Sequence, residues 1–286
     1  MTRVAVMLVI GCVLFTRPLV PVYGQGKVVL HLKLTPGEAL GYAVTRRELT
    51  SLVGPNGQTT RTTTLEALEV HRVLERDPTG AVTVEIFQES AKVTREGKTE
   101  DTWRIPLTLQ VSQFGVVLTR VSGVHSKPEE FPVPLPDAQI GVGDTWRRQR
   151  TLEGVGMDGR VTRLFTLVNL DRRANETVAQ IQLREEAALT VRPGSSSIPG
   201  VQAIGSGKLE GSGEISWSVE RGRILRASTQ TVTEVQADVR SQGQLIRVTV
   251  TTRTTEEREL LPQLPIGPVP GVEELIVPGK NLGKLA

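Results

Sequence analysis

The chain has 286 residues, a formal net charge of +3 and a hydrophobic content of 38%, which is an ordinary globular make-up and excludes a disordered chain. Its basic residues are scattered, without a long Lys/Arg run, so the surface reads as mildly basic and not as a nucleic-acid footprint. The single cysteine, Cys12, sits in an N-terminal apolar run; without that run the chain holds neither a disulfide nor a thiol nucleophile.

Arg3 precedes an unbroken apolar stretch from Val4 to Phe15. That is shorter than the roughly 20 residues a helix needs to cross a bilayer. A basic start, a short apolar stretch and then small residues spell a secretory signal over residues 1–24, cut after Val22-Tyr23-Gly24 and before Gln25. Two alternatives stay open. Val9-Ile10-Gly11-Cys12 resembles a bacterial lipobox, which would anchor a lipid through Cys12, and the run could also be retained as an anchor. The expected destination is periplasmic or extracellular, with no transmembrane span after signal removal.

From Val28 the chain reads as strands. Val28, Leu30, Leu32 and Leu34 share one face, with His31 and Lys33 on the other, as a half-buried strand requires. After the turn Thr35-Pro36-Gly37-Glu38, a strand near Leu40 to Leu49 turns Leu40, Tyr42 and Val44 inward. Gly54-Pro55-Asn56-Gly57 predicts a hairpin. The threonine-rich run from Gln58 to Arg76 favours strand, although Leu65 to Val70 also carries helical spacing. Asp77-Pro78-Thr79-Gly80 turns the chain into Val82, Val84 and Ile86, and Gly97 reverses it again. Trp103 to Val111 and Val116 to Val121 pair around Gly115, with Pro106 marking an edge or bulge.

A proline-stiffened crossover, Phe131 to Pro136, leads through Gly143-Asp144 into a strand from Trp146 to Leu152. Asp158-Gly159 is expected to be its hairpin turn. Val161 to Leu170 and Val178 to Val191 follow, separated by a polar turn from Asp171 to Glu176. Arg192 to Lys208, with Pro193-Gly194, three serines and Pro199-Gly200, reads as a flexible excursion. Gly213 to Val219 and Ile224 to Val239 pair across Gly222, and Gln242-Gly243 turns into a last strand from Leu245. Five prolines after Leu261 oppose further pairing.

The second half looks like a copy of the first. Gly37-Glu38 matches Gly143-Asp144, Gly57 matches Gly159, and Leu74-Glu75-Arg76 matches Leu170-Asp171-Arg172. Gln88 to Ala91 matches Arg184 to Ala187, and Gly115 matches Gly222. The expected fold is therefore all-β, two duplicated antiparallel meanders forming curved sheets or incomplete barrels. The expected organisation is a signal at 1–24, a first β unit at 25–130, a second at 131–262 and a proline-rich tail at 263–286. Pro136 followed by Val142-Gly143-Asp144-Thr145-Trp146 resembles uncharacterised secreted or lipid-anchored bacterial envelope β-proteins carrying a VGDxW motif. That resemblance implies an envelope location and β-architecture, and it brings no activity with it.

Chemistry is sparse in this pattern. His31, His71 and His125 stand far apart, as exposed strand or loop residues, not as a metal set. Gly205-Ser206-Gly207 and Gly211-Ser212-Gly213 suggest a phosphate cradle only if a helix follows, so they read as loop. Glu129-Glu130 and Glu185-Glu186 read as solvated charge, and Asn175-Glu176-Thr177 fits a glycosylation sequon. Trp103, Trp146 and Trp217 could form a stacking platform, but an aromatic content of 3% favours Trp146 as a plug of the sheet core and opposes an outer-membrane barrel with aromatic girdles. No residue is assigned to catalysis, a cofactor or a metal. The functional expectation is a non-enzymatic envelope β-protein that binds a macromolecule, with no nucleic-acid partner. The alternatives are a half-barrel carrier of a lipid or apolar ligand, and a hydrolase built from scattered residues such as Asp144, Glu185 and His125.

Overall fold

The computed structural model describes residues 26–102, 106–122, 131, 133–154, 157–173, 175–192, 202–241 and 244–264. Their regular structure is strand throughout. The first half gives β1 (Ala39–Gly54), β2 (Gly57–Arg76), β3 (Val82–Arg95), β4 (Lys98–Thr102), β5 (Leu107–Val111) and β6 (Val117–Ser122). The second gives β7 (Thr145–Gly154), β8 (Met157–Arg173), β9 (Glu176–Val191), β10 (Gln202–Ser218), β11 (Arg223–Ser241) and β12 (Gln244–Leu260). All twelve belong to one antiparallel sheet, in the order β6-β5-β3-β2-β1-β12-β11-β10-β9-β8-β7, with β4 beside β3 beyond β5. The all-β architecture expected from the alternation is what forms, with the two halves merged into a single sheet that is unclosed among the described residues.

The period-2 pattern sets which face is buried. Leu40, Tyr42 and Val44 of β1 turn inward, opposite His71, Glu69 and Ala67 of β2. The ambiguous Leu65 to Val70 stretch is strand, because β1 and β3 on its two sides supply the ladder hydrogen bonds that a lone helix would have had to make internally. The outer face carries Arg184, Glu186, Lys208, Glu210, Glu234, Arg253 and Glu257, a charged surface unlike a lipid-facing barrel wall.

Each half opens on the same turn. Gly37 (φ 83°) donates to Val73 O at 2.9 Å, Val73 N donates to Glu38 O, and the Glu38 carboxylate accepts from Thr35 N. Gly143 (φ 95°) donates to Leu167 O at 2.7 Å, Leu167 N donates to Asp144 O, and the Asp144 carboxylate accepts from Gly141 N. Immediately beyond, both partner strands slip register, at Val73/Glu75 and at Leu167/Asn169. Positive φ is why glycine stands at the third turn position in both.

The segment leading into each half is an extended strap that caps a hairpin of the other half. Lys33 N donates to Gly222 O, in the β10–β11 turn, and Leu32 N also donates to Gln113 O, in the β5–β6 turn of its own half. Phe131 N donates to Gly115 O, in the β5–β6 turn, and Leu135 N donates to Phe114 O. Gly115 and Gly222 both take positive φ, and a Cβ on either would strike strap backbone. The two straps fill the inner face. Leu30, Leu32, Leu34, Phe131, Val133 and Leu135 join Tyr42, Phe165, Ile181, Ile215 and Trp217 in the main core. A smaller core of Val161, Ala187, Leu189, Val191, Leu209 and Val235 lies further along β8 to β11.

Four expectations are corrected. Val28 to Leu34 is not a sheet strand: only Val28 makes a bridge, to Ile140, and the alternation reflects an extended strap that buries one side. Asp158-Gly159 is not a turn, because Glu153 pairs with Asp158 and Gly154 with Met157. Gly159 is instead a mid-strand residue whose Cβ would meet Ala188 O at 2.7 Å, and the structural counterpart of Gly57 is Met157. Gln202 to Lys208 is the start of β10, where Gly205 and Gly207 let β11 come close: a Cβ there would overlap Gln236 O and Glu234 O. Arg172-Arg173 still belongs to β8, so the following turn is tighter than Asp171 to Glu176.

Candidate functional site

On the inner face the core gives way to polar groups. Glu69 of β2 accepts from Arg258 of β12 at 2.9 Å and lies 2.6 Å from Nε2 of His71. The His71 ring packs between Tyr42 (4.9 Å) and Phe131 (5.0 Å), and the Arg258 guanidinium sits over the Tyr42 ring. His71 is therefore buried, contrary to the exposed position expected of it, because Phe131 of the strap covers it. Burial pulls its pKa down, against the opposing effect of Glu69, and burial pushes the Tyr42 phenol up to about 12.

Glu185 departs from expectation in the same way. It extends over Gly211, accepts from Arg163 Nε at 3.0 Å and from Thr231 Oγ1 at 2.9 Å, and its side chain is only 8% exposed. It holds three strands together from inside the curve of the sheet. Asp144 closes its turn, and His125 lies outside the described residues. The hydrolase reading thus finds its two described carboxylates in structural contacts, Asp144 in the turn before β7 and Glu185 on β9.

The tryptophans do not make a platform. Trp146 stacks on Phe165 at 5.2 Å and donates to Pro134 O at 2.8 Å, the plug expected of it. Trp217 is fully buried, and Trp103 lies outside the described residues. Glu129-Glu130 also lies outside them. Gly205-Ser206-Gly207 and Gly211-Ser212-Gly213 are strand residues, neither cradle nor loop. Asn175 stands exposed at the β8–β9 turn. The straps pack the inner face at the main core, which counts against a carrier that needs an open apolar concavity there. A groove of about 560 Å³ opens on the outer face between Gly41, Gln180, Ser216, Arg226, Glu259 and Leu264.

The feature with chemistry left to use is the β7 edge. Trp146 anchors this strand from the inside, so Arg147, Arg148, Gln149 and Arg150 follow on a rigid ladder with β8. Among the described residues no strand pairs with the other side of β7. Arg147 is exposed and donates to Thr162; Arg148 donates to Leu135 O at 2.8 Å, and its buried Nε has no acceptor among the described residues. Neither guanidinium meets a carboxylate there. Sequence reading passed over this cluster because its charge is diluted in a small net total. The signal available was three arginines in four residues on a predicted strand.

No family model matches the chain, and no curated protein matches it. Among solved structures it is matched with variants of Rhodopseudomonas blastica porin, and the likeness is slight. One variant, carrying a tryptophan substitution, shares 9% identity at a TM-score of 0.25, covering 78% of this chain and 100% of the porin. Another, in which charged residues are replaced by alanine, shares 10% at a TM-score of 0.26, with the same coverage. Likenesses at this level carry neither fold nor function across.

Proposed function

We propose that the protein is an exported, non-enzymatic β-protein of the bacterial envelope that binds another macromolecule at the free edge of its sheet. One observation carries this: β7 ends a twelve-stranded sheet with one side unpaired among the described residues, and it bears two guanidiniums that meet no carboxylate there. Unpaired strand edges are templates for strand addition unless they are blocked. The apolar run after Arg3 supports export, and the VGDxW resemblance supports the envelope setting. The paired polar groups at Glu69, His71 and Glu185 hold strands and straps together, which supports a binding role over turnover.

The test is photo-crosslinking in intact bacteria expressing the chain. A photoreactive residue at Gln149, on the edge, should yield a discrete high-mass adduct. The same residue at Glu214, exposed on the outer face of β10, should not. Equal labelling at both positions, or none at Gln149, counts against the reading.

A further inference from the structure

The molecule contains a template for what belongs beside β7. β1 and β7 are equivalent strands: each follows a positive-φ glycine and an acid whose carboxylate closes the turn, and each lies near a strand that slips register just past the shared hydrogen bonds. β1 is not an edge. Its second side is filled by β12, in register from Tyr42↔Leu260 to Val53↔Thr249. Arg46 stands opposite Glu256 but pairs with Glu48 of its own strand. Gly41 and Tyr42, the positions equivalent to Arg147 and Arg148, meet Leu261 and Leu260, so β12 shows the mode of filling while the charge of the occupant follows from the arginines of β7. At β7 the corresponding side is empty of strands among the described residues, and the chain there is more basic than β1.

We propose that the β7 edge seats an extended, acidic segment of a partner polypeptide as an added strand, with its carboxylates on Arg147 and Arg148. The inference rests on the binding role proposed above and names the site, the mode and the partner chemistry. Cross-strand carboxylate–guanidinium pairs give direction and selectivity, while main-chain hydrogen bonds to β7 supply a seat that is independent of side chains. A second copy of β7 fits poorly, because it would set arginine against arginine.

The probes are synthetic peptides the length of β7. One repeats Glu-Glu-Thr-Thr, which offers acids to both faces of the strand; the others are its lysine counterpart and the glutamate peptide N-methylated at every second residue. Binding to the chain from Gln25 to Ala286 is read by fluorescence anisotropy. The glutamate peptide should bind saturably and weaken at least tenfold in Arg147→Glu/Arg148→Glu and in high salt. The lysine and N-methylated peptides should not bind. Arg147→Glu alone alters an exposed side chain and keeps the test readable if circular dichroism shows the double variant unfolded. The proposal is overturned by absent binding, by indifference to peptide charge or methylation, or by unchanged affinity in both variants. It is equally overturned if sedimentation shows that two copies pair through β7, or if peptide binds only after removal of residues 265–286, since either outcome gives the edge a different occupant. A Gln149 adduct without peptide binding would leave the binding role standing and remove only the acidic-strand assignment.

Discussion

His71 shows how burial of one titratable group becomes a pH dependence. Its pKa is held below the usual 6.5 by desolvation, with Glu69, Arg258 and Tyr42 as the groups facing it. Because the unfolded chain takes up the proton more readily, stability from this site is complete above about pH 6.5 and is lost as pH falls toward the folded value. The slope is at most one proton, about 1.4 kcal/mol per pH unit. Urea unfolding of His71→Gln between pH 5 and pH 8 should show a shallower acid decline than the parent chain. Identical slopes would mean that His71 is not neutral in the fold. Tyr42 acts at the opposite end: its raised pKa holds stability that is intact below about pH 10 and lost as pH rises toward 12. The inward positions of Leu40, Tyr42 and Val44 were legible from alternation alone. His71 was not, since a histidine among Glu69, Arg72 and Glu75 looks solvated until Phe131 arrives from the distant strap.

At the scale of elements, strands were legible and their pairing was not. Alternation at Leu30, Leu32 and Leu34 reports one buried side, but it cannot distinguish a ladder from a strap laid across one. The Asp158-Gly159 pair carried a turn signature that lost to the register of β7 on β8, which closes two residues earlier. In β10, glycines that looked like loop are strand residues placed where the backbone of β11 comes closest. Their cost in strand propensity is offset by the close approach of β11. Gly205→Ala should therefore destabilise the protein by about 1–3 kcal/mol, as overpacking does. Its Cβ would overlap the Gln236 carbonyl oxygen, a backbone atom that cannot rotate away. Gly37→Ala, where a Cβ meets nothing within 4 Å but φ is 83°, isolates the backbone strain from the clash. Thermal unfolding of both variants compares the two effects; an unchanged midpoint in Gly205→Ala would show that β10 and β11 are further apart than described.

The whole molecule is organised by two junctions between its halves. One, β1 with β12, is zipped along most of the length of both strands. The other, between β6 and β7, is unpaired among the described residues, and the straps that cross the inner face pass from each half to the hairpin of the other. The all-β class and the repeated turns were readable because they rest on local pattern. Whether a sheet closes depends on strand number, stagger and curvature, which no local window records. Disulfide trapping in the chain from Gln25 onward, which lacks Cys12, tests this arrangement most directly. Thr50 and Thr252 face each other across the zipped junction with their hydroxyls 3.3 Å apart. Thr50→Cys/Thr252→Cys should oxidise readily to an intramolecular bond, whereas Thr119→Cys/Gln149→Cys, across β6 and β7, should stay reduced. Rapid bonding of the second pair, or failure of the first, would contradict a single sheet joined at β1 and β12 and open at β7.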